Sequence, residues 1–276
     1  MFMFCTEFIF DGISSKEYNL IICSFDGHKS GSATAGSHIE YTTFKTPNSD
    51  RWTRTGSSYN EQLTFTFQIC KYKCSTGIDE PLSERELAFI MRWLVQKEYK
   101  ELQFIQEGYE NIFYNCQINV EKYEANGRCY GLSLTVVCDA PWGWSEIKQA
   151  TISSSTTSLT KLYDDSDEIG VIYPSVTILS KAGTKSKPQD ITIYNNMTGI
   201  ETRIKNCVSN EKIEMHDMII NSSENIDNGY HTTLMDDFNW KWFSIGNSLG
   251  NRVNVIKVTG NCKVNLSWRV PRKAVV

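Results

Sequence analysis

Residues capable of chemistry are sparse and widely separated in this sequence. Cys70 and Cys74 form its one close cysteine pair, and a structural zinc site would need a second Cys or His pair at matching spacing. The nearest histidines, His28 and His38, lie in a Gly/Ser/Thr-rich stretch upstream, and Cys70 follows Ile69 in a strand-like run where a buried apolar thiol is the simpler reading. Asp164, Asp165, Asp167 and Glu168 are dense enough for Ca²⁺ but lack the glycine and terminal glutamate of an EF-hand loop, so they read as a solvated charge run. His216, between Met215 and Asp217, reads as a structural residue at a strand edge or turn. There is no Gly-x-Ser-x-Gly elbow, no phosphate-binding loop of Walker type and no His-Glu-x-x-His, and no cysteine has a histidine base beside it in sequence. These spacings therefore assign no catalytic residue, no metal ligand and no cofactor.

Two aromatic groups remain. Trp240 and Trp242, on a run read as a strand, would share one face, serving as core or as a platform for stacking a glycan. Trp142 and Trp144, in a Pro/Gly-interrupted segment, read as rings wedged at a domain junction.

The elements that must position these residues are mostly strands. The 276 residues allow about two domains, and the aromatic fraction of 12%, with few prolines and abundant Ser, Thr and Asn, favours strands and turns over a helical bundle. A net charge of −4 argues against binding nucleic acid through phosphate neutralisation. No apolar run approaches the 18 residues of a membrane span, and residues 1–10 read as a first strand, not a signal peptide. The nine cysteines then read as reduced and mostly buried.

Leu63, Phe65, Phe67 and Ile69 alternate with polar residues and predict a half-buried strand. Residues 84–98 predict the one helix, with Leu87, Ile90, Met91, Leu94 and Val95 as its apolar stripe and Ser83 with Glu86 as a capping box. Strands at 102–106, 112–120 and 128–138 follow, the last two joined through Asn126-Gly127. Residues 26–60 form a long polar excursion in which only 39–45 looks like a strand. Domain bounds of 1–144 and 145–276 follow, with 145–168 as a polar connector. The second domain has evenly spaced short strands, among them 171–180 and 241–245, in the rhythm of an antiparallel sandwich or jelly roll, with no helix.

The order of these features resembles a known family. Phe8-Ile-Phe-Asp-Gly-Ile-Ser-Ser15 with Tyr18-Asn-Leu-Ile21, Ser83-Glu-Arg-Glu86, Lys100-Glu-Leu102, Tyr114-Asn-Cys-Gln117 and Tyr130-Gly-Leu-Ser-Leu134 are similar to distal tail proteins (Dit) of phages with long flexible tails. The most specific element is Cys138-Asp-Ala-Pro-Trp-Gly-Trp144, and a looser pattern runs on through Ile193-Tyr-Asn-Asn196 and Asn210-Glu-Lys-Ile213 to Trp268-Arg269.

The resemblance implies a mainly β protein with an N-terminal sandwich or barrel-like ring domain bearing one helix, followed by a galectin-like or jelly-roll sandwich. It implies a structural virion protein of the tail tip, made in the host cytoplasm, that forms a homohexameric ring and is not an enzyme. Its partners would be the tail tube protein, a tail-tip hub protein and receptor-binding or side-fibre proteins, with DNA only in transit through the lumen. A head-to-tail ring needs different faces of neighbouring copies to meet, and the excursion at 26–60, with Ile39, Tyr41, Phe44 and Trp52, is the expected inter-subunit loop. A carbohydrate- or receptor-binding module built on the second sandwich is the competing reading.

Overall fold

A computed structural model describes residues 7–25, 37–48, 50–72, 80–223, 231 and 233–273. Cys74 and His28 lie outside the described residues, as does part of the 26–60 excursion. The chain divides into two compact units. Unit 1 runs through Ser145 and regains the chain from Pro271, and unit 2 is Glu146–Val270.

In unit 1, β1 (Phe8–Phe10), β2 (Ile13–Ser14), β3 (Leu20–Cys23), β4 (Ile39–Lys45), β5 (Trp52–Tyr59) and β6 (Thr64–Lys71) precede helix α1 (Glu84–Leu94). Then come β7 (Lys100–Phe104), β8 (Phe113–Ala125), β9 (Arg128–Cys138) and β10 (Gly143–Trp144). The main sheet is antiparallel in the order β2-β1-β7-β8-β9-β6-β3. β1 and β6 stand four strands apart, about 19 Å across a flat sheet at the usual spacing, yet the rings of Phe8 and Phe67 meet at 5.3 Å. The sheet is therefore strongly curled, but β2 and β3 remain its open edges, and no barrel closes.

The helix starts as expected: the Ser83 backbone N–H donates to Glu86 at 2.7 Å, and Ser83 Oγ accepts from the Glu86 N–H at 3.3 Å. It ends four residues sooner than expected. Val95 turns extended, and Gln96 Nε2 donates to the Arg92 and Trp93 carbonyls. The buried stripe is Leu87, Ile90, Trp93 and Leu94, while Val95 is exposed. Trp93 stacks on Phe8 and Tyr18 and donates its indole N–H to the Phe10 carbonyl at 2.9 Å.

In unit 2 the segment expected as a polar connector is strand: β11 (Lys148–Ser154) and β12 (Thr157–Tyr163). Threonine suits strands, and Ile152 and Ser154 are buried, so the Ser/Thr-rich composition conceals an ordinary alternation. The 171–180 strand is split by Pro174 into β13 (Val171–Ile172) and β14 (Ser175–Ser180), because proline cannot donate to a ladder. β15 (Gln189–Asn195), β16 (Ile200–Cys207), β17 (Lys212–His216) and β18 (Ile219–Ser222) follow, then a four-residue helix α2 (Leu234–Asp237) that the sequence reading did not expect. The strand expected at 241–245 is reduced to β19 (Ile245–Gly246). Before it, the chain is held by side chains instead of a ladder: Asn239 bonds the backbone of Arg203 and Glu201, and Thr202 Oγ1 donates to the Lys241 carbonyl.

β20 (Val253–Thr259) and β21 (Cys262–Trp268) complete two antiparallel sheets, β11-β21-β14-β17-β18 and β12-β20-β15-β16, which share one core of Ile, Val, Leu and Met with Phe238 and Phe243. The chain then returns to unit 1 as β22 (Pro271–Arg272), paired with β10.

Candidate interaction surfaces

β4 and β5 pair only with each other, forming a hairpin arm outside the main sheet. A bulge after Thr42 shifts the register, so Tyr41, Thr43 and Lys45 share a face with Arg54 and Trp52 while Phe44 lies on the other. Both faces are wet. Trp52 is 64% exposed, Tyr41 and Phe44 about half exposed, and the Arg54 guanidinium sits 4.4 Å over the Tyr41 ring. A lone two-stranded ribbon with no buried face is marginal in water, so an arm of this kind calls for a partner surface.

The arm is rooted in the Pro141–Trp144 segment. The Tyr59 ring meets Trp142 edge-on at 5.5 Å, and Ser37 Oγ donates to the Pro141 carbonyl. Trp142 packs edge-on against Trp144, whose indole N–H donates to Asp139 at 3.0 Å, and Asn115 holds the other carboxylate oxygen of Asp139. Between the two tryptophans, a Cβ on Gly143 would lie 2.7 Å from Ile112, so only glycine lets the strand approach β8.

Trp240 and Trp242 do not share a strand face. Trp240 takes a left-handed φ of +56° and is 57% exposed, with its indole N–H bonded to the Met235 carbonyl, whereas Trp242 is half-buried. The two rings meet Phe238 separately, Trp240 tilted at 5.6 Å and Trp242 edge-on at 5.0 Å.

The titratable groups that converge do so away from solvent. His231 and Glu211 pair with side chains only 1% and 0% exposed. The other His231 nitrogen faces the Lys205 carbonyl at 2.7 Å, so both ring nitrogens donate and the imidazole is charged. Burial opposes charging both groups. Their mutual hydrogen bond, with help from Ser222 and the Val208 N–H on Glu211, overrides this, leaving Glu211 below and His231 above their ordinary values. Such a pair is a structural lock.

Asp164, assigned by sequence to a solvated run, is buried. It accepts from the Ser166 N–H and from Asn247 Nδ2, each at 2.9 Å. Burial pushes the Cys138 thiol up to about 12 and that of Cys262 to about 11, which removes them as nucleophiles at neutral pH. Among the described residues, no group of three His, Cys, Asp or Glu side chains is arranged to hold a metal ion.

Two family models match the chain nearly end to end: a phage tail protein N-terminal domain over residues 3–140, and a phage tail C-terminal domain over residues 142–268. The chain belongs to this phage tail protein family. Its two models meet at Pro141, in the segment where the arm is rooted. Comparison with curated protein sequences finds no match.

Among solved structures, the phage tail protein resembles SPP1 Dit (gp 19.1), described as a paradigm of the hub adsorption apparatus in phages infecting Gram-positive bacteria. The TM-score is 0.62 at 10% identity, covering 95% of this chain and 98% of that one. The phage P2 baseplate in its activated, Ca-bound conformation is also similar, with a TM-score of 0.48 at 11% identity over 98% and 99% of the two chains. The fold of this phage tail protein is thus that of a Dit protein.

Sequence reasoning located one strand of the arm and both tryptophan groups. It missed β5, whose Trp-Thr-Arg-Thr-Gly-Ser-Ser-Tyr buries no face and so shows no apolar alternation. It also missed the His231–Glu211 lock, whose two residues lie 20 apart with no motif between them.

Proposed function

We propose that this phage tail protein is a distal tail protein: a non-enzymatic component of the tail tip that assembles as a homohexameric ring joining the tail tube to hub and receptor-binding proteins, with DNA passing through the lumen. The observation that carries the reading is the likeness to a Dit fold across both units at once. The β4–β5 arm supports it physically. A closed ring needs a heterologous contact in which one face of a copy meets a different face of the next, and a two-faced ribbon bearing Tyr41, Phe44 and Trp52 supplies one partner of such a contact. Ile39 and Tyr59 at its base fix where it leaves the domain. In this reading Trp142 and Trp144 hold the root of the arm, and Trp240 offers unit 2 an apolar contact for another tail-tip protein.

Native mass spectrometry and negative-stain electron microscopy of the purified full chain test this. Six-membered rings are expected, alone or with the tube protein, and removal of residues 40–58 should leave monomers. A protein that stays monomeric in both settings would sink the ring, and rings unchanged by the deletion would sink the role of the arm.

A further inference from the structure

The β8–β9 hairpin does not keep one register along its length. At the Asn126-Gly127 turn, Ala125 faces Arg128 and Glu124 faces Cys129, and that register continued along the strands would set Cys116 opposite Val137. A bulge intervenes. Tyr123 faces Gly131, leaving Tyr130 as the extra residue on β9, and every later pair is displaced by one. Cys116 therefore stands opposite Cys138. A shift of one residue also exchanges the two faces of a strand, and it leaves both cysteines on the core side of unit 1, each 0% exposed.

The phase of the ladder decides what such a pair can do. The Asp139 N–H donates to the Asn115 carbonyl at 2.8 Å, while the Cys138 N–H points away from β8 and donates to the Leu63 carbonyl at 2.9 Å. Cys116 and Cys138 are thus a non-hydrogen-bonded pair, the closer of the two antiparallel kinds, with Cα atoms typically about 4.5 Å apart. That falls within the span of a disulfide, about 4.4–6.8 Å. Both stand as thiols in the structure. Among the described residues, the strand registers set no other cysteine opposite a cysteine: Cys70 faces Ile21 and Gly131, for example, and Cys262 faces Ser154 and Ser180.

We propose that Cys116 and Cys138 are a redox staple, two thiols that a small disulfide oxidant joins across the strands. The bond would fix β8 to the chain just ahead of Asp139, whose carboxylate holds Asn115 and Trp144 at the root of the arm. Packing shields the closed pair, but Cys138 is the last residue of β9, where fraying frees its thiol without unfolding the sheet. In the frayed state the Cys138 thiolate attacks one sulfur of glutathione disulfide, and one glutathione leaves. Before the strand end closes, the Cys116 thiolate attacks the Cys138 sulfur, and the second glutathione leaves. Two protein thiols are oxidised to one disulfide, one glutathione disulfide is reduced to two thiols, and the two protons pass to the glutathiones. The inference concerns unit 1 and stands whether or not the chain forms a ring.

Intact mass spectrometry and non-reducing peptide mapping of the full-length protein, treated with glutathione disulfide at mildly alkaline pH, test it. The wild type should become lighter by two hydrogens, about 2 Da, with the linkage mapped between Cys116 and Cys138. The Tm of the oxidised protein should rise by about 5 °C or more, because the bond closes a long loop, and dithiothreitol should reverse the rise. Cys116→Ala should stop at the mixed disulfide on Cys138, heavier by one glutathione. A wild type that keeps its mass, a linkage mapped to other cysteines in place of this one, a Tm that oxidation leaves unchanged, or loss of two hydrogens from Cys116→Ala would each overturn the proposal.

Discussion

Unit 1 sets a network of aromatic rings within its aliphatic core, and unit 2 packs its interior mostly with branched aliphatic chains. Phe8, Phe67, Phe104, Tyr114 and Trp93 meet in a network of edge-on and stacked contacts between α1 and the curled sheet. Unit 2 packs Ile152, Ile178, Ile193, Ile213 and Ile256 from two facing sheets. The geometry of the layers accounts for the difference. A helix laid on a strongly bent sheet leaves a wedge with room for long planar side chains beside Leu87, Ile90 and Leu94, whereas two facing sheets lie about 10 Å apart and interdigitate short branched ones. Charge follows the same division. Lys71 of unit 1 reaches outward to Glu80 and Glu86 at the helix start, while unit 2 encloses a complete ion pair, His231–Glu211. One core is held by packing that is indifferent to pH, and the other adds a lock that is not.

Breaking the lock gives the largest expected effect. Glu211→Ala leaves the buried imidazolium of His231 with only Asp237, 3.5 Å from its Nε2, as counter-charge and strips the Val208 N–H of its acceptor. The expected loss is about 3–5 kcal/mol in urea unfolding, whereas replacing both partners together, His231→Leu with Glu211→Met, should cost less because neither charged member of the pair is left behind. If the single and double variants lose equal stability, the pair is ordinary packing.

The same lock sets a pH window. His231 is raised above its ordinary 6.5, so its contribution is full below that value and fades as pH rises through the folded pKa. Glu211 is lowered below 4.5, so its contribution is full above that value and fades as pH falls. Stability from the pair is therefore greatest between 4.5 and 6.5 and declines on the alkaline side. In unit 1, Glu86 is held at about 2, with burial opposed by its hydrogen bonds to Lys71 and Ser83, so its contribution is lost only in acid. Tm measured from pH 5 to 9 should fall toward the alkaline end in the wild type and stay nearly flat in the double variant. A slope shared by both would place the titration elsewhere.

A smaller effect sharpens the contrast from the side of unit 1. Trp93→Phe keeps a ring against Phe8 and Tyr18 but removes the indole hydrogen bond to the Phe10 carbonyl. About 1–3 kcal/mol should be lost, with no change in pH dependence. A larger loss would mean that the indole fills volume that a phenyl ring cannot.

The parts legible in the sequence were those in which burial imposes a period. Leu63 to Ile69 alternates because one face of β6 is dry, and Ser83 with Glu86 marks a helix start because the first backbone donors need partners. Asn126-Gly127 marks its hairpin because both residues must take positive φ, and they do, at +52° and +71°. The misreadings fell where polar residues carry strands, as in β11 and β12, or where side-chain hydrogen bonds replace a ladder, as around Trp240. Cys116 and Cys138 face one another only because the bulge at Tyr130 shifts the register, a step that the Asn-Gly signal does not announce.

The arm is the third setting for aromatic residues, and there the expected effect on the fold is the smallest. Tyr41 and Trp52 touch neither core, and their strands pair only with one another. Replacing both with serine takes nothing from either core, so stability should stay within about 0.5 kcal/mol of wild type. Assembly should respond in the opposite sense. Large rings supply most of the energy where they are buried at an interface, so the same double variant should shift native mass spectra from rings toward monomers at a given concentration. Substituting Thr53 and Ser58 on the arm, which changes little apolar area, should leave the spectra alone. A double variant that unfolds would assign Tyr41 and Trp52 to the core of unit 1, and one that assembles normally would leave the arm without a partner. Stability retained with assembly lost would establish that the same side-chain chemistry that fills the wedge beneath α1 serves here to join one chain to the next.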